Sequence, residues 1–194
     1  MQVSNLQLFP TLVQEINNFL TEDECTTIVN HINHSKLTTH AALDGHATST
    51  FSNQKYKAVN ELNKFVPFKE KLLRCLNNYS EESGITKVKL VNSWISIQSK
   101  NSKLAIHTHP YSVLSCVIYL KVDNASSKLY FKNPNPFYAF TAIVEEKIVN
   151  AESIYFTPEN GKLIIFPSWL QHGSNDINQS EQRIILSANT AAAD

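Results

Sequence analysis

A jelly roll or β-sandwich preceded by helices is the fold class this sequence predicts, and three observations lead to it. After Gly84 the chain holds six short segments, "KVKLVNSWISIQ", "VLSCVIYLKV", "KLYFK", "SIYFTP", "KLIIFPSWL" and "QRIILSAN". They are rich in β-branched and aromatic residues and separated by Asn, Pro, Gly and Ser clusters, as strands are. Before Gly84 the texture is helical, with two apolar stripes at helical spacing. The chain has 194 residues, 42% hydrophobic and 10% aromatic, which is enough for one domain with a sizeable core. Strands this short and this numerous suit a mainly β sandwich or jelly roll better than alternating βαβ units.

The elements follow in chain order. "LTEDECTTIVNHINHS" opens a helix at Thr21 with Glu24 three residues on, a capping box, and Cys25, Ile28, Val29 and Ile32 form its apolar stripe. "VPFKEKLLRCLNNYSEESG" is a second helix, with Pro67 in its first turn, Leu72, Leu73, Leu76 and Tyr79 as its stripe and Gly84 as its stop. Between them, "HAALDGHATSTFSNQKYK", which contains Gly45, reads as a long polar loop. In a jelly roll such a loop is a candidate cover for the active site. "FKNPNPFYAF" is a rigid turn, or a loop at the barrel mouth that touches substrate, and "VEEK" around Glu145 and Glu146 is a solvated face. The expected organisation is one domain over residues 1–194, helix-rich at 1–84, with the β core that carries the site at 85–190.

Composition excludes several classes. Seventeen basic and seventeen acidic residues leave no net charge, so nothing directs the chain toward nucleic acid or an anionic membrane. Cys25, Cys75 and Cys116 are odd in number and contain no CxxC pair, which fits buried thiols in a reducing compartment. The N-terminus shows no signal-peptide pattern and no apolar run reaches membrane-spanning length, so the expectation is a cytoplasmic protein. The sequons at Asn33, Asn78 and Asn178 then carry little meaning. His31 and His34 sit at a helix end, where the dipole favours an imidazolium over a metal site.

The chemistry concentrates in "AIHTHPYSVLSCVIYL", residues 105–120. In an extended chain residues two apart share a face, so His107 and His109 project together. If the strand continues, Val113, Ser115, Val117 and Tyr119 share that face. The pair alone fits either hydrogen-bonded histidines at a strand start or two metal ligands. A third histidine, His172, follows the strand broken by Pro167 in "GKLIIFPSWLQHGSND". Two imidazoles on one strand and one from a distant strand can occupy one face of a metal. Arg183 then opens a strand with Ile185, Ser187 and Asn189 on its side; it is either an exposed edge charge or a guanidinium that meets an anion in an apolar interior.

Together "NSW", "HTHP", "LSCVIYL", "FKNP", "GKLIIFPSWLQH" and "RIILSAN" resemble the iron(II)- and 2-oxoglutarate-dependent oxygenases, in particular a branch with a His-x-His-Pro motif from phages and marine bacteria. The match runs from about Val91 to Asn189, and "LFPTLVQEINNFLTEDEC" resembles the family's opening. The resemblance implies a double-stranded β-helix with helices packed outside. It makes His107 the first metal ligand, His172 the distal one, and Arg183 the partner of the far carboxylate of 2-oxoglutarate. His109 stands where most of the superfamily has Asp or Glu, Cys116 where Gly is usual, and Ile185 where a Ser often helps hold the cosubstrate; Ser187 is a substitute on the same face. Tyr119, and Ser96 or Gln98 on the "NSWISIQ" strand, are candidate partners of the near carboxylate, and Trp94 lines the pocket; for Tyr119 and Trp94 plain core packing is the alternative.

The implied activity is a hydroxylase using Fe(II), 2-oxoglutarate and O2, which couples oxidative decarboxylation of 2-oxoglutarate to oxidation of a protein side chain, a peptide or a small metabolite. Two other classes stay open: a cupin with a three-histidine metal site that does not use 2-oxoglutarate, and a non-catalytic jelly roll that serves as an interaction protein. Arg183 separates the first two, since a dicarboxylate needs a cation opposite the metal. The sequence fixes neither the substrate nor the oligomeric state.

Overall fold

The computed structural model of the chain describes residues 2–6, 8–40, 46–140, 142–174 and 176–193; part of the polar loop, including Gly45, lies outside the described residues. Its elements are β1 (Gln14–Ile16), α1 (Glu22–Asn30), β2 (Thr38–Thr39), β3 (Ala47–Ser49), α2 (Ala58–Leu62), α3 (Lys69–Glu82), β4 (Val88–Gln98), β5 (Leu114–Lys121), β6 (Leu129–Lys132), β7 (Ser153–Phe156), β8 (Leu163–Pro167), β9 (His172–Ser174) and β10 (Arg183–Ala192). All strand pairings are antiparallel. A seven-stranded sheet runs β1-β8-β5-β10-β4-β3-β2, and a three-stranded sheet runs β7-β6-β9.

The alternation within strands sorts side chains into two cores. On β5, Cys116, Ile118 and Leu120 face the helices, joined by Ile184, Leu186 and Ala188 of β10 and by Leu163 and Ile165 of β8. The opposite faces give Val117 and Tyr119, Ile185, and Ile164 and Phe166, which meet Leu129 and Phe131 of the small sheet. Buried on both sides, β5 reads as the continuous apolar run "LSCVIYL".

The two expected helices form, although Pro67 precedes α3, whose N-cap is Phe68, and the short α2 is an addition to the expected elements. Thr21 Oγ1 accepts from Glu24 N–H and the Glu24 carboxylate accepts from Thr21 N–H, so the capping box is present. Leu72, Leu76 and Tyr79 of α3 are buried, while Leu73 is only half-buried. Gly84, at φ +66°, ends that helix in the left-handed region open to glycine.

Two parts of the chain depart from expectation. The polar stretch 46–57 is not wholly loop: Ala47–Ser49 pairs with β4, placing Ser49 opposite Ser96. Its propensity is poor, but Ser49 Oγ donates to Ile95 O at 2.8 Å, so pairing on an existing edge outweighs local preference. Residues 14–16 also form a strand, β1, which caps the far edge of the large sheet beside β8. Gly161, at φ +77°, is required where the chain turns into β8: an added Cβ would lie 2.0 Å from Leu20 O. Among the described residues no helix is long and apolar enough to cross a membrane.

Candidate functional site

The three histidines of the sequence analysis converge, although not as one strand with a distant partner. His107 forms an isolated antiparallel bridge with His172: its N–H donates to His172 O (2.9 Å) and its carbonyl oxygen accepts from His172 N–H (3.0 Å). A turn closed by Ser112 N–H onto His109 O then interrupts the chain, and β5 begins only at Leu114. Pro110, which has no N–H to give to a ladder, sits in that turn. The continuous face expected from His107 therefore breaks: Ser115, Val117 and Tyr119 face the cavity between the sheets, whereas Val113 packs against the helix-side core. His109 is held instead by its N–H donating to Ser168 O at 2.9 Å.

This close approach depends on Gly173. An added Cβ there would meet Leu104 O at 2.9 Å and Ala105 C at 3.2 Å, both backbone atoms of the segment that carries His107. Gly173→Ala is expected to push this segment away, costing about 1–3 kcal/mol of stability as overpacking does. Its thermal midpoint should fall and its metal affinity weaken together.

One ring nitrogen from each of His107, His109 and His172 lies within 4.8 Å of the other two. His107 Nδ1 donates to Ala105 O (2.9 Å) and His172 Nδ1 donates to Leu170 O (2.7 Å), a tautomer assignment that leaves both Nε2 lone pairs free. His109 Nε2 lies 3.2 Å from His172 Nε2. Two nitrogens about 2.1 Å from one ion at an angle near a right or tetrahedral angle would be separated by roughly that much. Burial, then the neighbouring His107, pushes His172 down to about 3 and His109 down to about 4. Both rings are thus neutral, the form that binds a metal, at pH 7. Among the described residues this is the one group of His, Cys, Asp or Glu side chains arranged to hold an ion. Asp176 is exposed and outside it. His31, by contrast, stacks on Phe65 with ring centroids 3.9 Å apart.

The histidines open into a cavity of about 430 Å³ that also contains Trp94, Ser96, Tyr119, Arg183 and Ser187. Every residue singled out in the sequence analysis as ligand or cosubstrate contact therefore lines one space. Arg183 is 4% exposed, so the interior reading holds and the edge-charge reading does not. Its Nη1 donates to Gln98 Oε1 at 2.8 Å, its Nε to Ser127 O at 3.2 Å, and its guanidinium lies 5.4 Å from the centre of the Tyr119 ring. Among the described residues no carboxylate pairs with it, and the cavity wall includes no Asp or Glu. A buried guanidinium without a counter-charge is costly, and an anion in the cavity offsets that cost. Tyr119 Oη is buried in the same cavity with the Arg183 guanidinium as its polar neighbour.

The sequence analysis missed the frame that aims Arg183. Gln98, expected to contact a cosubstrate, accepts from the guanidinium instead. Ser127, whose carbonyl takes Arg183 Nε–H, is fixed by its own N–H to Asn178 Oδ1 (3.2 Å), and Asn178 Nδ2 donates to Ser99 O (3.0 Å) and Ser180 O (2.9 Å). Asn178, noticed in the sequence only as a sequon, is fully buried. Its signal is an Asn in a Ser-rich turn just before an Arg-led strand, which is visible only once that Arg is known to be inside. Asn178→Ala leaves these groups unpaired and should cost about 1–3 kcal/mol, read as a fall in chemical-denaturation midpoint. His40 and Phe51 were missed as well; both reach the cavity from the stretch expected to cover it, with Phe51 edge-on to Trp94 at 5.1 Å. A larger concavity, about 590 Å³, lies against α3 and β4 and contains none of the expected site residues.

A double-layered antiparallel β fold with three converging imidazoles and a buried cation in one cavity defines a jelly-roll protein with a candidate metal centre. The sequence profile of a family described as "Putative 2OG-Fe(II) oxygenase" matches residues 92–189, half of the chain. The chain belongs to this family of 2-oxoglutarate- and iron(II)-dependent oxygenases. No curated protein matches it significantly. Among solved structures it is similar to a viral collagen prolyl hydroxylase from Paramecium Bursaria Chlorella virus-1 in complex with 2-oxoglutarate, at 15% identity and TM-score 0.59, over 93% of this chain and 96% of that one. It is also similar to a Pseudomonas putida prolyl-4-hydroxylase (13%, TM-score 0.61, 96% of each chain) and to HygX from Streptomyces hygroscopicus with nickel and 2-oxoglutarate bound (8%, TM-score 0.61, 94% and 84%). At such identities the likeness is one of fold, and the fold is that of the 2-oxoglutarate oxygenase jelly roll.

Proposed function

We propose that His107, His109 and His172 hold iron(II), that Arg183 pairs with the distal carboxylate of 2-oxoglutarate, and that the protein hydroxylates a C–H bond of a protein side chain, peptide or small metabolite. One observation carries this reading: the three imidazoles and a buried guanidinium without a carboxylate partner share one cavity. The groups fit their ligands chemically. Three neutral nitrogen donors suit a divalent transition metal, and a planar fork of N–H donors suits a carboxylate. When bound, iron(II) with 2-oxoglutarate and O2 supplies the oxidative decarboxylation that drives C–H oxidation.

The chain's own residues bind, orient and exclude water. Gln98 and Ser127 fix two edges of the guanidinium and leave the remaining N–H groups for a carboxylate. In this reading Tyr119 Oη donates to the cosubstrate, and Ser96 and Ser187 are further hydroxyls on the cavity wall. Val117, Ile185 and Phe166 make the surrounding wall apolar, so charge-assisted bonds inside are little screened.

The all-histidine donor set favours a second reading, a cupin-type metalloprotein that does not use 2-oxoglutarate. Calorimetric titration of 2-oxoglutarate into anaerobic protein with and without cobalt(II) separates the two. Metal-dependent binding supports the oxygenase; metal binding with no 2-oxoglutarate binding supports the cupin reading.

A further inference from the structure

We infer that the concavity between α3 and β4 docks an acidic polypeptide segment, at a site separate from the cavity that holds the histidines. The inference stands independently of the proposed function.

The walls of this concavity are tied together at both ends. At one end Val88 N–H donates to Asn77 Oδ1 at 3.0 Å, joining the start of β4 to the second half of α3. At the other, Val59 N–H donates to Ser93 Oγ at 2.9 Å, joining α2 to the middle of β4. The lining runs from Lys69 to Asn77 on α3, about 12 Å of helix rise, and from Val88 to Ser93 on β4, about 16 Å of strand rise. The space is therefore a groove, with a volume of about 590 Å³.

Positive charge gathers in it out of proportion to the chain. Lys57, Lys69, Arg74, Lys87 and Lys89 line the groove, with Glu70 as the one acidic residue of its lining among the described residues, in a chain of 17 basic and 17 acidic residues. Among the described residues Lys57, Lys69, Arg74 and Lys87 make no ion pair; even Glu70, one helical turn from Arg74, does not pair with it. Four cations without a carboxylate partner around one groove repel one another, and an anionic ligand relieves that repulsion.

Spacing and lining select the ligand. Lys57 lies two residues before Val59 and Lys69 begins α3, so both stand at the Ser93 end; Lys87 precedes Val88 and stands at the Asn77 end, with Arg74 between. Cations spread along about 12 Å suit several anionic groups in a row better than one phosphate or one small carboxylate, and about four residues of extended polypeptide cover that length. The floor between the charges is apolar. Leu73, expected in the buried stripe of α3, is only half-buried and borders the groove. On β4, Asn92 pairs with Asn189 and Leu90 with Thr190, which leaves Val91 as the extra residue of a bulge. The bulge lets both Leu90 and Val91 meet the groove, Val91 at 39% exposure. An apolar floor with cations at both ends accepts a segment that carries acidic and apolar side chains together. Nucleic acid is poorly matched, since among the described residues no aromatic side chain lines the groove to stack a base.

The test titrates cobalt(II)-loaded full-length protein into fluorophore-labelled short peptides in which Glu and Leu alternate, read by fluorescence anisotropy. A peptide with Gln in place of every Glu and a labelled single-stranded oligothymidylate are measured beside it. The expected result is micromolar binding of the acidic peptide, at least ten-fold tighter than the Gln peptide and weakened by added salt. Arg74→Glu combined with Lys87→Glu should lose at least ten-fold in affinity, and Val91→Asp should also weaken binding. Arg74 and Lys87 are exposed, so the double variant should melt with wild type, and Arg74→Gln with Lys87→Gln repeats the comparison by removing charge alone. Absence of acidic-peptide binding by wild type overturns the inference. So does equal affinity for the Gln peptide, unchanged affinity in both double variants, or tighter binding of the oligothymidylate than of the acidic peptide.

Discussion

His172→Ala is expected to lower iron(II) or cobalt(II) affinity by at least about 100-fold, the upper end of what losing a mere outer partner of a metal ligand costs. His172 is the most enclosed of the three imidazoles, at 4% exposure, with its Nδ1–H spent on Leu170 O and its Nε2 facing the other rings. Among the described residues the cavity wall offers no carboxylate to take its place. Anaerobic metal titration monitored by the cobalt(II) absorption spectrum reads the loss. The same titration assigns His109. His109→Ala should weaken binding by roughly 10-fold or more, and His109→Asp should keep a metal while changing its spectrum, as exchange of a neutral for an anionic donor does. Wild-type affinity in His109→Ala together with metal loss in Asp176→Ala would show that the carboxylate, and not this imidazole, completes the set.

Arg183→Met should weaken 2-oxoglutarate binding by about 1.5–3 kcal/mol, the worth of hydrogen bonds to a charged group, which is about 10- to 150-fold in Kd. Metal affinity should stay near wild type, since the guanidinium touches none of the histidines; its contacts are Gln98, Ser127 and the face of Tyr119. Folding stability should change little: removing a buried cation that has no carboxylate partner relieves a desolvation cost, which offsets the loss of its hydrogen bonds to Gln98 Oε1 and Ser127 O. Isothermal titration with 2-oxoglutarate and a thermal melt of the ligand-free protein check both halves. A destabilised variant with unaltered 2-oxoglutarate affinity would reduce Arg183 to a structural residue.

Much of this site was legible in the sequence because strand alternation carries its information locally. Arg183, Ile185, Ser187 and Asn189 were expected on one face of one strand, and all four line the cavity. Trp94, Ser96 and Gln98, singled out through the family resemblance, share the cavity-facing side of β4 by the same alternation. What failed to show was whatever depends on partners distant in sequence. The HTHP segment resembles the start of a strand, yet Pro110 and the left-handed Tyr111 make it a turn, and His109 reaches the cluster through a backbone bond to Ser168. β3 forms in a polar stretch because β4 supplies an edge. Asn178 matters only through the carbonyls and amides that tertiary structure brings around it. The two helices needed nothing remote, since a capping box and an apolar stripe are contained in a few consecutive residues.

The central claim is that one cavity holds iron(II) and 2-oxoglutarate together, and the visible spectrum of the anaerobic iron(II) protein titrated with 2-oxoglutarate tests it most directly. A saturable charge-transfer band of the iron(II) chelate, present in wild type, absent in His172→Ala and shifted to higher 2-oxoglutarate concentration in Arg183→Met, is the predicted result. An iron(II)-loaded wild type that develops no such band at saturating 2-oxoglutarate would contradict the account.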